Sequence, residues 1–261
     1  MAQKVTIERD EGIVFLTMDA LPKPSTVDVA LCESLMSALK EIARTPSDRA
    51  VVLRGAGNVF SAGGNLQYIE QAMADPEALL GPLIDQFHET VLALARLPQP
   101  VIASVHGAAA GAGFSLAMAC DTVVAARSAR FVVGYPKIGA PCDGGLSFQL
   151  VRRLGRQRAL NLFLLAESLD AQTARDWGLV DVLVDDTALA AQTRATALQF
   201  AAHPVQAVGE IKALLRQAAD REFEVHLERE KSAFLRCAAT ADCRERVRDF
   251  NARSRQSRSK D

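Results

Sequence analysis

The 261-residue chain is 49% apolar and carries a formal net charge of −1. Such a composition can bury a large core in one big domain, or in a domain with an appendage. It gives no electrostatic support to a role on nucleic acid or on an anionic membrane surface. The five cysteines (Cys32, Cys120, Cys142, Cys237, Cys243) form no CxxC pair and are odd in number, which points to a reduced, cytoplasmic setting. His88, His106, His203 and His226 lack ligand spacing, so no metal site is expected. No apolar run is long enough to span a membrane. Strand-like alternation starts by Val5, so no cleaved leader is expected. The arginine-rich end from Arg244 to Lys260 reads as a solvated tail.

Residues 4–9 and 12–18 alternate apolar and polar residues around Asp10-Glu11-Gly12, the pattern of a β-hairpin. Asp28 is a good N-cap for a helix running to about Arg44, with Leu31, Leu35, Leu39 and Ile42 on one face. A short buried strand is expected over 50–54, then helices over 65–74 and 77–97. Pro98 and Pro100 punctuate the chain before a second buried strand over 101–105. A short helix of small residues is predicted over 111–119. Strands follow over 122–126 and 131–133, then helices over 144–154 and 156–165, then a last strand over 180–184. From Thr187 the pattern is helical, broken near His203-Pro204 and again near Ala239-Thr240. The alternation predicts an α/β core with right-handed crossovers over 1–195 and a helical extension over 196–261. No internal repeat is evident.

Two glycine-rich segments, Ser61-Ala62-Gly63-Gly64-Asn65 and Gly107-Ala108-Ala109-Ala110-Gly111-Ala112-Gly113, each follow a short apolar run and lead into helix-like sequence. A helix start offers unpaired N–H groups and a positive dipole end, and glycine lets a ligand approach that backbone closely. Two such starts converging on one point would hold a carbonyl oxygen between two donors, an oxyanion hole.

Other motifs fit worse. Gly113-Phe114-Ser115-Leu116-Ala117 superficially matches a hydrolase nucleophile elbow, but His106 to Ala112 separate it from the preceding strand. Gly111-Ala112-Gly113 begins a dinucleotide fingerprint that fails at Leu116, where a third glycine is due.

Several segments, in order and at matching spacing, resemble the crotonase superfamily, the enoyl-CoA hydratase/isomerase family. Gly57 to Leu66 is similar to "GxxFSAGxDL", and Gln99 to Gly107 to "KPVIAAVNG". Phe131 to Gly155 resembles the segment ending "GGxxxLxRxxG", and Asp242 to Phe250 the closing "DxxEGxxAF". The match covers nearly the whole chain. It implies a crotonase-like ββα-spiral core with C-terminal helices that drive trimers or dimers of trimers. It also implies an acyl-CoA thioester as substrate, with CoA arriving on the substrate and no separate cofactor. The enolate-stabilising N–H groups would belong to Gly64 and Ala112. Ala62, Gly63, Leu66 and Gly111 would line the site, and the backbone around Ala62 and Gly64 would meet the CoA adenine.

Two departures from the family pattern bear on the reaction. The hydratases' two glutamates fall at Ser115 and Tyr135, and neither is a carboxylate. Ordinary hydration thereby loses its acid and base, each worth roughly 10²–10⁴-fold. The "NAL" motif is replaced by Ser25-Thr26-Val27. Asp143, in Pro141-Cys142-Asp143-Gly144-Gly145, matches the position where some family isomerases, a dehalogenase and C–C-cleaving members place an aspartate. A lone base there can move one proton between Cα and Cγ of an enoyl-CoA; Asp143 can equally be the N-cap of the helix that follows.

Tyr135 is a group to bond substrate or close the pocket, or a half-buried tyrosine. Ser115 reads as a small polar group lining the acyl pocket. Cys142 is a reactive thiol or a small core residue. Phe87, Phe114 and Phe148 line the acyl pocket or pack the core, and Lys212 meets a CoA phosphate or is solvated. The reading is enoyl-CoA isomerisation by Asp143. Hydration, thioester hydrolysis, C–C cleavage and a catalytically weak acyl-CoA-binding subunit are the alternatives.

Overall fold

The computed structural model describes residues 4–18, 24–166, 168–218, 222–243 and 245–246. The opening hairpin pairs β1 (Val5–Asp10) with β2 (Ile13–Met18) antiparallel, Asp10 opposite Ile13. Every later strand of the main sheet runs parallel: β3 (Ala50–Gly55), β4 (Val101–Val105), β6 (Thr122–Ala126) and β9 (Val182–Val184) extend it in the order β1-β2-β3-β4-β6-β9.

Both faces of this sheet are covered, as parallel strands require, and residue parity sorts them. Val14, Leu16, Val51, Leu53, Val101, Ala103, Val105, Val123 and Ala125 face a large core. It is closed by α1 (Val29–Arg44), α3 (Pro76–Arg96) and α4 (Ala112–Ala119). Asp28 caps α1 by accepting from the Leu31 N–H at 2.9 Å. Ile13, Ala50, Val52, Ile102 and Val124 face the other way, against α8 (Leu189–Ala201), whose Leu189, Thr193, Ala197 and Ala201 recur every fourth residue. One hydroxyl pair crosses that interface, Ser104 Oγ to Thr193 Oγ1 at 2.9 Å, so neither buried group lacks a partner. Helix α8 runs through residue 195 without interruption, and the chain next breaks direction at 202–204.

A second, smaller sheet holds β5 (Ala108–Ala110), β7 (Arg130–Val132) and β8 (Ser168–Asp170). β5 lies in a segment the sequence presents as turn, and β8 and α7 (Ala171–Asp176) were not anticipated. Each spiral turn places a main-sheet strand, then a short second-sheet strand, then helix: β4-β5-α4, followed by β6-β7 and α5 (Leu146–Leu154). The turn before them is abbreviated. After β3, Ser61 alone bridges to Ala109, and α2 (Leu66–Ala72) follows. Helix α5 starts at Leu146 rather than at 144, because Gly144 and Gly145 hold φ of +60° and +76°, outside the helical region. After α6 (Arg156–Leu165), β8, α7, β9 and α8, the chain continues into α9 (Val205–Ala218) and α10 (Phe223–Ala238). Most of the closing motif from Asp242 to Phe250, and the basic tail, lie outside the described residues.

Candidate active site

The chain that follows the second-sheet strand in each spiral turn comes to one place. Ala62-Gly63-Gly64 follow Ser61, Ala110-Gly111-Ala112 end β5 and open α4, and Gly134-Tyr135 follow β7. Together with Ala140 to Asp143 they line one side of a cavity of about 410 Å³. The other side is apolar: Leu66 and Ile69 of α2, and Leu80, Leu83, Ile84 and Phe87 of α3. Among the described lining residues Asp143 is the one carboxylate.

The first two glycine segments are locked together. Ser61 N–H donates to Ala108 O and Ala110 N–H to Ser61 O, both at 3.0 Å. Gly63, at φ +90°, backs so closely onto β5 that a Cβ there would lie 2.6 Å from Ala110 O and 3.6 Å from Ala112 N. Gly64 and Ala112 both line the cavity. Val27 N–H donates to Gly63 O (2.7 Å) and Asn65 N–H to Val27 O (3.4 Å), a parallel bridge that leaves the intervening Gly64 N–H pointing away from Val27. Ala112 opens α4, where first-turn N–H groups have no intrahelical acceptor.

Asp143 lies on a loop held at three points. Its carbonyl accepts from Ser115 Oγ at 2.8 Å. Its Oδ1 accepts from the Gly144 N–H at 2.6 Å and contacts His88 Nε2, on α3, at 2.5 Å. Gly144 is wedged between helices: a Cβ there would lie 2.4 Å from the Phe87 ring and 2.9 Å from Ser115 Cβ. Asp143 does not cap α5. That cap position is Gly145, with no side-chain bond.

The sequence of this chain matches the enoyl-CoA hydratase/isomerase family over residues 8–257. The chain belongs to that family, the crotonase superfamily. A 1,2-epoxyphenylacetyl-CoA isomerase of Escherichia coli K12 is 34% identical over 245 residues, 94% of each chain. The 4-chlorobenzoyl coenzyme A dehalogenase-2 of an Arthrobacter species is 28% identical over 257 residues, 97% of this chain and 92% of its own. The crystal structure of an enoyl-CoA hydratase from Polaromonas sp. JS666 superposes with a TM-score of 0.91 at 32% identity, covering 95% of this chain and 97% of that one. The names span three reactions. The likeness establishes an acyl-CoA enzyme of this family and leaves its reaction open.

Ala62, Gly63, Gly64, Leu66, Gly111, Ala112, Tyr135, Cys142 and Asp143 all line the cavity. Ser115 does not. It is buried within α4, behind the wall, where no nucleophile elbow is formed. Its single proton is committed to the Asp143 carbonyl, so the 3.3 Å contact with Tyr135 has the phenol donating. Burial pushes the Tyr135 hydroxyl up to about 12, which keeps it a donor. Phe87 lines the cavity. Phe114 instead packs on Phe131 in the core, ring centroids 5.2 Å apart, and Phe148 is exposed beneath the Arg152 guanidinium.

Lys212 offers no free ammonium to a phosphate. Its Nζ is 2.6 Å from Asp121 Oδ2 and donates to Gln99 O at 2.8 Å, with the side chain only 11% exposed. Burial raises the Asp121 carboxyl despite that partner. His88 is the residue that sequence reasoning missed. The available signal was spacing: Leu80, Ile84 and His88 lie four apart on one helix, so His88 continues the row that walls the cavity.

Proposed function

We propose that this enzyme moves the double bond of an apolar enoyl-CoA between the 2 and 3 positions, with Asp143 as the proton carrier. The observation that carries the reading is one carboxylate, Asp143, lining a cavity that Gly64 and Ala112 also line. From a 3-enoyl-CoA, Asp143 takes the C2 proton. The C–H electron pair spreads through a dienolate to the thioester oxygen, which the Gly64 and Ala112 N–H groups stabilise, each donor worth about 3–4 kcal/mol. Asp143 then returns the proton at C4, and the double bond lies between C2 and C3. The step is redox-neutral, and CoA enters as part of the substrate, its adenine near Ala62 and Gly64.

The wall of Leu66, Ile69, Leu80, Leu83 and Ile84 supports an unbranched or cyclic hydrocarbon acyl group, since a polar ω-group there would lose its hydration without a partner. Exposed Leu164 and Leu165 on α6, with Leu215 on α9 and Phe234 on α10, support assembly into trimers or dimers of trimers. Among the described residues no helix is long and apolar enough to cross a membrane.

Mass spectrometry of 2- and 3-enoyl-CoA incubated in ¹⁸O-water tests the reading. The expected result is a shifted double bond at unchanged mass, reduced about 10²–10⁴-fold by Asp143→Asn. Gain of one labelled water would make the enzyme a hydratase. Tight CoA-ester binding with no turnover, indifferent to Asp143→Asn, would make it a binding subunit.

A further inference from the structure

The pair formed by Asp143 and His88 spans the boundary between cavity and solvent. Asp143 lines the cavity and its side chain is 29% exposed, while the His88 side chain is 48% exposed. Both the Gly144 N–H and His88 Nε2 use Oδ1, and neither uses Oδ2. One carboxylate oxygen is thus tied to an imidazole in contact with water, and the other is left for a substrate proton. An imidazole so placed does more than orient its partner, because its two nitrogens can pass a proton from one side of the ring to the other.

We propose that His88 connects Asp143 to bulk water, so that a proton lifted from substrate exchanges with solvent before it is returned. This rests on Asp143 being the proton carrier. Once Asp143 is protonated, the exposed ring exchanges its Nε2 proton for one on Nδ1 through water, and the carboxyl proton then passes to the open Nε2. The imidazolium then releases the Nδ1 proton to water. That restores the resting pair, a neutral ring with Nε2–H donating to a carboxylate. The same steps in reverse load Asp143 with a solvent proton. Two routes therefore compete in each turnover: direct return of the substrate's proton to C4, and delivery of one drawn from water.

The test is turnover of a 3-enoyl-CoA in deuterium oxide, with deuterium at C4 of the product read by mass spectrometry and NMR. Wild type is expected to incorporate deuterium. His88→Gln keeps an amide N–H at the distance of Nε2 but cannot relay a proton. It should keep turnover within about tenfold and lose the incorporation, with an unchanged melting temperature. His88→Ala, which loses the positioning bond as well, should lower kcat further. Isomerisation by wild type without deuterium at C4, or equal incorporation by wild type and His88→Gln, overturns the relay and leaves the isomerase standing. Absence of any double-bond shift overturns the isomerase, and the relay with it.

Discussion

Ser115 Oγ donates a 2.8 Å hydrogen bond to the carbonyl oxygen of Asp143. Ser115 thereby braces the loop that carries the one carboxylate among the described lining residues. Tyr135 contacts the same Oγ at 3.3 Å through its hydroxyl. The Tyr135 hydroxyl and the Asp143 carbonyl therefore meet at one serine oxygen.

Ser115→Ala should separate placement from binding. The methyl side chain leaves α4 intact but frees the Asp143 carbonyl, at about 1 kcal/mol of stability. Since a displaced reacting group loses rate steeply, kcat should fall about ten- to a hundredfold. KM for the CoA ester should hold, because the Gly64 and Ala112 donors are untouched. Steady-state kinetics beside a melting curve read both.

Gly63→Ala should be more damaging although it removes no functional atom. The new Cβ would sit 2.6 Å from Ala110 O, at a φ of +90°. β5 must then move away from the Gly64 segment, and the two N–H donors separate. A loss of about 10²–10³ in kcat, the worth of one oxyanion donor, is expected. Circular dichroism should still report a folded protein.

The fold was readable where pattern is periodic and the site where motifs are contiguous. Asp28, the apolar row of α1 and the strands β2, β3, β4 and β6 fall where the sequence puts them. Of the second sheet, β7 was legible, while β5 and β8 were hidden, each three residues long and β5 all alanine. Such segments carry no alternation, and the pairing of β5 with β7 supplies what propensity does not. Asp143 was visible as a carboxylate in a glycine-rich loop. His88 was not, because 55 residues separate it from Asp143 and only the packing of α3 over the cavity joins them. Lys212 was misjudged for the same reason, its acceptor lying on Gln99 across 113 residues.

Lys212→Met should behave as a stability variant, not a substrate-binding one. The substitution leaves Asp121 beside the sheet with the Val101 N–H as its remaining close donor, at 2.8 Å. Asp121 keeps some solvent contact, so the cost should be about 2 kcal/mol, below that of breaking a fully buried pair. KM for CoA esters should not change. A rise in KM at unchanged stability would return Lys212 to the phosphate-binding role.

Alkaline stability should carry the signature of Tyr135 and Cys32. Burial raises the phenol from about 10 to about 12, and the Cys32 thiol from 9.0 to about 11. Between those limits the folded protein holds protons that the unfolded chain has released, so stability falls as pH rises. Below about pH 9 both contributions are complete. Denaturant melts from pH 8 to 12 should show the decline. Tyr135→Phe should make it shallower between about 10 and 12, where the Cys32 and Cys120 thiols, both raised by burial, still contribute. The same substitution removes the donor to Ser115 without touching the bond from Ser115 to Asp143. Its kcat near neutrality should consequently stay above that of Ser115→Ala. The reverse ranking would make the Tyr135 hydroxyl itself a substrate contact.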